Sequence, residues 1–197
     1  VLGGYSTYPF LNQHMLHTSY IEISKSAYRQ NIEFIRSQLG EKVVISSVVK
    51  GNAYGHGIEN IVALAESNGI RHFSTFSADE AKRVFEASQR NSQVMIMGMV
   101  SDEVLPWVIE NGIGFYVFEF ERLREAIRLA RKQEKKARIH VEVETGFHRT
   151  GFEWQEREPL LKVLGENEAF LDFRGLCTHY AGAESVANYV RVKQQIK

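Results

Sequence analysis

The stretch VVKGNAYGHG at residues 48–57 contains the side chain best suited to chemistry, a lysine at the end of an apolar run. Lys50 follows Val48 and Val49 directly. A lysine partly enclosed by apolar residues loses hydration, which lowers the pKa of its ammonium group. The neutral amine is then a nucleophile that can form a Schiff base with an aldehyde. The sequence therefore indicates covalent amine chemistry at position 50.

The loop that follows the lysine favours this interpretation. Gly51, Gly55 and Gly57 allow positive φ angles and a close approach of the backbone to a ligand. Tyr54 adds a hydroxyl group that could meet a phosphate. Pyridoxal phosphate combines an aldehyde with a phosphate and is the common partner of such a lysine. The alternative, a lysine that only leaves the sheet for solvent, stays open at this point.

Three stretches, in order along the chain, resemble the alanine racemase family. The residues VVKGNAYGHG resemble its cofactor lysine motif, V-x-K-A-N-A-Y-G-H-G, with Gly51 in place of alanine. The residues VEVETGFHRTGF at 141–152 resemble its K-x-D-T-G-M-x-R-x-G-F segment. The residues CTHYAGAES at 177–185 resemble its T-H-F-A-x-A-D/E segment. The resemblance covers residues 20–197, the first part of a family whose members are nearly twice as long.

The resemblance implies a role for four residues in binding pyridoxal 5'-phosphate. Lys50 would bind the cofactor as a Schiff base, and Arg149 would face its phenolic oxygen. Tyr54 would donate a hydrogen bond to its phosphate, and His179 would lie against its pyridine ring. Lys50 and Arg149 would also be the catalytic residues, since the lysine would abstract the α-proton of the substrate.

The function implied by the resemblance is a pyridoxal-phosphate-dependent racemase of small amino acids, with alanine as the default substrate. In this family a tyrosine from the C-terminal β-domain of the partner subunit supplies the second proton-transfer group. We therefore expect a homodimer for the full-length form and only a partial enzyme in these 197 residues. Two alternatives stay open: a non-catalytic pyridoxal-phosphate-binding protein, and a D-threonine aldolase-like lyase of the same fold type, which usually needs a metal.

Two departures from the family pattern lie near the predicted arginine. The family commonly has a lysine, often carbamylated, where this chain has Glu142. We hypothesise that the Glu142 carboxylate pairs with Arg149 directly. Glu142 and Glu144 share one face of the strand at 138–144, and two interior carboxylates would need a cation. His148 stands where the family often has a small residue, so we expect it to crowd the pocket.

The elements that must position these residues alternate between strands and helices. Strand-like runs lie at 43–49, 72–76, 93–97, 113–118, 138–144 and 170–178. Ser24 and Gly40 bound a predicted helix over 25–39, and Ser77 and Glu80 form a predicted capping box. The alternation predicts a parallel α/β sheet, either open and doubly wound or a (β/α)₈ barrel.

The glycines after Lys50 lack the spacing of a dinucleotide-binding loop, and the family resemblance implies the barrel. We predict an apparently incomplete TIM-type barrel of about six βα units over residues 20–197, without the C-terminal β-domain. Residues 1–19 are predicted to be an N-terminal extension.

The composition excludes several other classes of protein. Lys plus Arg and Asp plus Glu are equal at 24 each, and no basic run indicates a nucleic-acid partner. No apolar run approaches the ~20 residues of a membrane-spanning helix. The single cysteine, Cys177, cannot form an intramolecular disulfide, so the cytoplasm is the expected location. No spacing of His, Cys or carboxylates predicts a metal site.

Overall fold

The structure is a computed structural model that describes residues 19, 21–40, 42–182 and 185–196. These residues form two compact units that are divided after Gly40. The predicted N-terminal extension, residues 1–19, lies outside the described residues except for Ser19.

In the first unit the described residues include the helix α1 (Lys25–Leu39), as the sequence predicts. The Ser24 hydroxyl accepts a hydrogen bond from the backbone N–H of Ala27 at 3.3 Å and so caps the helix. Gly40 ends it with a φ of 78°, and its N–H donates to the carbonyl of Arg36. Both predicted ends of this helix are therefore confirmed.

The second unit contains a sheet of six parallel strands: β1 (Ser46–Val48), β2 (His72–Thr75), β3 (Gln93–Ile96), β4 (Gly114–Val117), β5 (Ala137–Glu142) and β6 (Leu171–Cys177). Their spatial order follows the chain, β1-β2-β3-β4-β5-β6. An open doubly wound sheet would instead reverse its strand order at a switch point. The sequential order is that of a barrel wall, in which each strand lies beside the next.

The short element α2 (Lys50–Tyr54), which has left-handed φ angles after Lys50, follows β1. Helices then cover the sheet: α3 (Ile58–Ser67), α4 (Ala78–Ala87), α5 (Leu105–Glu110), α6 (Phe120–Gln133), α7 (Arg157–Glu166) and α8 (Tyr189–Ile196). Short 3₁₀ helices occupy Trp154–Glu156, Glu168–Phe170 and Val186–Asn188. The predicted capping box of α4 is present, because Ser77 accepts from the backbone of Glu80 and Glu80 accepts from the backbone of Ser77.

The two faces of the sheet differ in polarity. On β5 the apolar side chains of Ala137, Ile139 and Val141 are fully buried. The alternate positions carry Arg138 and His140, which are half-buried and point to the other face. The hydrophobic core therefore lies between the sheet and its helices, whereas the opposite face, the interior of a barrel, carries polar groups.

Candidate active site

The loops at the carboxyl ends of the strands surround a cavity of about 470 Å³. Three of the four predicted residues, Lys50, Arg149 and His179, line it together with Glu142. The remaining lining residues are Phe76, Met97, Gly98, Met99, Tyr116, Phe118, Thr150 and Thr178. Residues that follow each of the six strands thus meet at the edge of a parallel sheet where ligands bind in α/β folds.

Lys50 lies between the end of strand β1 and a left-handed turn. Val49 is fully buried, and its N–H donates to the carbonyl of Ser74 at 2.9 Å. After the lysine, Gly51 has a φ of 62°, and Asn52, Ala53 and Tyr54 each have a φ of 54°. These four residues form a left-handed turn, which costs about 1–2 kcal/mol for each residue with a Cβ atom.

Tyr54 lies on this turn, but its side chain is 65% exposed and does not line the cavity. The structure therefore does not bring its hydroxyl group together with the other three predicted residues. Its contact with a cofactor phosphate stays a prediction.

The loop that carries Arg149 is organised by Glu144, the last residue before the loop turns. The Glu144 carboxylate accepts hydrogen bonds from the backbone N–H groups of Gly146, Phe147, His148 and Arg149. Burial alone would raise the pKa of Glu144, but these four donors hold it below its usual value. Of the two carboxylates expected to need a cation, Glu144 is thus satisfied by backbone donors, whereas Arg149 lies near Glu142.

Glu142 lies deeper, with a side chain only 4% exposed. Its Oε1 atom is 3.9 Å from Nη2 of Arg149, and its Oε2 atom accepts a hydrogen bond of 2.9 Å from the Thr150 hydroxyl. The hypothesised pair with Arg149 is present as a long contact, while Thr150 is the direct partner. Sequence reasoning missed Thr150, although its position beside the arginine was a signal.

Arg149 and His179 both pack on the ring of Phe147. The Arg149 guanidinium lies 5.2 Å from the ring centroid, a cation–π contact, and the His179 ring lies 4.6 Å from it. His148 beside them has a φ of 60° and is exposed. It does not line the cavity, so the predicted crowding by His148 is not found.

The loops after β5 and β6 are joined by Gln195 of α8, a buried residue that sequence reasoning also missed. Its Oε1 atom accepts from the N–H of Ala181 at 2.9 Å. Its Nε2 atom donates to the Thr145 hydroxyl at 3.1 Å and to the His179 carbonyl at 2.9 Å. Because all three partners belong to loops at the cavity, Gln195 fixes the backbone from which the His179 ring extends.

Tyr116 lines the cavity, and Cys177 is its side-chain hydrogen-bond partner. Burial, and then the neighbouring Cys177, raise the pKa of the Tyr116 hydroxyl well above its ordinary value. Burial raises the pKa of the Cys177 thiol to about 12. Both groups are therefore protonated at neutral pH and can only act there as neutral hydrogen-bonding groups.

The chemistry of these side chains fits a flat aromatic group that carries negative charge. Lys50 offers an amine, Arg149 offers a cation, His179 offers a ring, and Met97 and Phe118 offer apolar surface on the same cavity. Among the described residues, no three His, Cys, Asp or Glu side chains are grouped so that they could hold a metal ion. Within the same part of the chain, no helix is long and apolar enough to cross a membrane.

Comparison with known proteins identifies relatives of this chain. Residues 23–197 match the family model described as "Alanine racemase, N-terminal domain". The alanine racemase of Listeria monocytogenes is 32% identical over 168 residues, which are 85% of this chain and 44% of that protein. The alanine racemase of Methanococcus maripaludis is 30% identical over 170 residues, which are 86% of this chain and 45% of that protein.

Solved structures of similar proteins have the same fold. The alanine racemase of Clostridium difficile 630 superimposes with a TM-score of 0.77 at 26% identity, over 84% of this chain and 43% of that one. The alanine racemase of Bacillus anthracis with bound L-Ala-P gives 0.77 at 28% identity, over 87% and 44%. These matches confirm the predicted barrel fold. The chain spans less than half the length of the relatives it matches.

Proposed function

The chain belongs to the alanine racemase family through that family's N-terminal domain, and we propose that it forms the cofactor-binding barrel portion of a pyridoxal-phosphate-dependent amino-acid racemase. The observation that carries the proposal is the cavity onto which Lys50, Arg149 and His179 converge. We propose a small amino acid as substrate, and a homodimer as the active assembly of the full-length form.

In this proposal each residue has a distinct task. Pyridoxal phosphate, when bound, supplies a conjugated ring that withdraws electrons from the α-carbon of the substrate. Lys50 would hold the cofactor through its amine and would act as the base that takes the α-proton of the substrate on one face. Arg149 binds the phenolic oxygen, His179 packs on the ring, and Tyr54 binds the phosphate.

The acidic side chain that lines the cavity, Glu142, acts on the Arg149 cation. Glu142 lies near Arg149 and restrains its guanidinium. The Arg149 side chain is 53% exposed to solvent. Racemisation also needs a proton donor on the opposite face of the substrate, because return of the proton by Lys50 alone would regenerate the starting isomer. We assign that donor to the partner subunit of the full-length dimer.

Covalent trapping tests the proposal. The protein is mixed with pyridoxal phosphate, reduced with borohydride and digested, and the peptide that contains Lys50 is weighed. We expect one stable mass increase on this peptide and none in Lys50→Ala, while Lys82→Ala, a change at an exposed lysine of α4, leaves trapping unchanged. Labelling of many lysines without preference for Lys50 would contradict the proposal.

Racemase assays on the full-length protein with several L- and D-amino acids separate the catalytic function from simple cofactor binding. We expect production of the opposite enantiomer from at least one small amino acid. Trapping at Lys50 without racemisation of any amino acid would instead indicate a cofactor-binding protein that is not an enzyme.

A further inference from the structure

We propose that Glu80 is a positioning residue for Lys50, and that it acts by holding the left-handed turn at residues 51–54. The proposal rests on the proposed function, in which Lys50 binds the cofactor through its amine. Glu80 lies on α4, after the next strand along the chain, and does not line the cavity. It can therefore affect Lys50 only through the backbone of the turn.

The turn needs outside support because its conformation is unfavourable. Asn52, Ala53 and Tyr54 all have positive φ angles although they carry Cβ atoms. Such strained backbone persists only when surrounding contacts hold it in place. Within the turn, the N–H of Ala53 donates to the carbonyl of Val49 at 2.7 Å. The N–H groups of Gly51 and Asn52 instead point outward to a side chain.

That side chain is Glu80, and each of its two carboxylate oxygens accepts hydrogen bonds from a different pair of backbone N–H groups. The Oε1 atom accepts from the N–H of Gly51 at 2.6 Å and from that of Asn52 at 3.4 Å. The Oε2 atom accepts from the N–H of Phe76 at 3.0 Å and from that of Ser77 at 3.4 Å. Of these four bonds, a capping box needs only the one from Ser77, the N-cap residue. The two bonds to Oε1 tie the turn after Lys50 to the start of α4.

Glu80 is suited to this task because its carboxylate is ionised. Burial alone would raise the pKa of Glu80, but the backbone donors at Phe76, Gly51, Asn52 and Ser77 together lower it. The position at the N-terminus of α4 favours the same negative charge. A charged acceptor forms stronger hydrogen bonds to N–H groups than a neutral one, so the carboxylate can offset strain in the turn.

A second contact from α4 holds the same turn. The Asn52 side-chain oxygen accepts from Nη2 of Arg83 at 2.8 Å and from the N–H of Ile58 at 3.3 Å. Arg83 also binds both carboxylate oxygens of Glu59 at 2.8 and 2.7 Å. The turn is therefore held between α3 and α4. Loss of Glu80 should loosen the turn while this second contact keeps the helices together.

The test compares Glu80→Gln with Glu86→Gln, a matched change at an exposed residue of the same helix. The amide introduced by Glu80→Gln is uncharged and has one oxygen and one NH₂ group, so one pair of backbone donors loses its acceptor and the other pair keeps only a weaker, neutral one. Amide hydrogen exchange reports the turn directly and does not involve a cofactor. We expect exchange at Gly51 and Asn52 to accelerate at least about tenfold in Glu80→Gln and to stay unchanged in Glu86→Gln.

Borohydride trapping with pyridoxal phosphate then reports the effect on Lys50. In Glu80→Gln we expect the rate of trapping at saturating cofactor to fall at least about fivefold, with an unchanged circular dichroism spectrum. Glu80→Asp keeps the charge at the helix start but is one methylene shorter, so it should retain the cap and lose the bonds to the turn. It serves as the second variant if Glu80→Gln does not fold.

Two outcomes would overturn the proposal. The first is unchanged exchange at Gly51 and Asn52 in both Glu80 variants, which would show that the carboxylate does not hold the turn. The second is faster exchange with wild-type trapping kinetics, which would show that the turn does not position the lysine. A wild-type protein that shows no trapping at Lys50 contradicts the proposed function instead, while the exchange result still decides the role of Glu80 in the turn.

Discussion

At the scale of single residues, Glu142 is the side chain whose chemistry departs most from the pattern that the sequence resembles. It is a buried carboxylate with one short hydrogen bond, from Thr150, and a longer contact with Arg149. A buried charge is retained only where donors and cations compensate for its lost hydration. Glu142 and Arg149 are therefore expected to depend on each other.

The change Glu142→Gln tests this dependence. The amide can still accept from Thr150 but no longer attracts the guanidinium, and a partly exposed ion pair contributes up to about 1 kcal/mol. We expect cofactor affinity to fall by about fivefold, measured by absorbance titration with pyridoxal phosphate. Glu153→Gln, at an exposed position beyond the same loop, is the control. Unchanged affinity and turnover in Glu142→Gln would refute the pair.

His140 provides a pH-dependent contribution to stability at the other end of the barrel interior. It faces a second cavity, of about 220 Å³, that is also lined by His72, Arg138 and Arg174. Burial, followed by the charges of His72, Arg174 and Arg138, lowers the pKa of His140 to about 4, while Asp172 acts in the opposite direction. In the folded protein the ring therefore stays neutral well below its ordinary pKa.

The sign of the effect follows from proton linkage. Between about pH 6.5, the ordinary histidine pKa, and about pH 4 the unfolded chain binds a proton at His140 that the folded chain does not. Stability from this residue is thus present above pH 6.5 and is lost as the pH falls toward 4. We expect urea unfolding of His140→Gln to depend less steeply on pH across this window than unfolding of the parent. Parallel curves would contradict the assignment.

At the scale of elements, polar groups fix several of the loops at the cavity, either from within the loop or from a neighbouring helix. Glu80 holds the loop after β1, Glu144 holds the loop after β5, and Gln195 joins the loops after β5 and β6. The loop after β3 is anchored by an ion pair of 2.7 Å between Asp102 and the buried Arg122 of α6. The helices therefore supply rigidity that the loops lack.

Gln195→Leu removes one of these anchors. The Leu side chain would leave the N–H of Ala181 and the carbonyl of His179 without their buried partner, at a cost of about 1–3 kcal/mol. We expect a lower free energy of unfolding and a weaker affinity for pyridoxal phosphate, since His179 lines the cavity. Gln194→Leu, at an exposed position of the same helix, is expected to change neither quantity.

Gly98 fixes the distance between two of these loops. A Cβ atom at this position would lie 2.4 Å from the carbonyl oxygen of Phe76, so the loops after β2 and β3 would have to separate. We expect Gly98→Ala to lower the free energy of unfolding by about 1–3 kcal/mol, measured by denaturant titration. Gly165→Ala is the control, because nothing lies within 4 Å of the new methyl group on α7. There the change should stabilise the helix by about 0.5–1 kcal/mol.

At the scale of the whole molecule, periodicity was sufficient to predict the sheet. Each of the six strand-like runs overlaps one strand, and their order along the chain is their order in space. The first run, 43–49, is longer than β1, because only Ser46, Ser47 and Val48 find partners on β2. Strand ends depend on tertiary pairing, which a single sequence does not contain.

The site was predicted less completely than the fold, for a physical reason. Local sequence motifs contain three of the predicted residues, Lys50, Arg149 and His179, and all three line the cavity. Glu80 was predicted only as a cap, and Gln195 was not predicted at all, because each acts across a long separation in sequence. The motif also could not reveal that Tyr54 points to solvent, since that depends on the hand of the turn.

The turn after Lys50 has a stereochemical consequence. The φ and ψ angles of Gly51, 62° and 42°, are close to the mirror image of an ordinary α-helical residue. A D-alanine introduced there by semisynthesis would occupy its preferred basin, whereas L-alanine would be strained although no atom lies within 4 Å of its methyl group. Two proteins that differ only in the configuration of this one carbon atom should therefore differ in melting temperature, with the D-form higher.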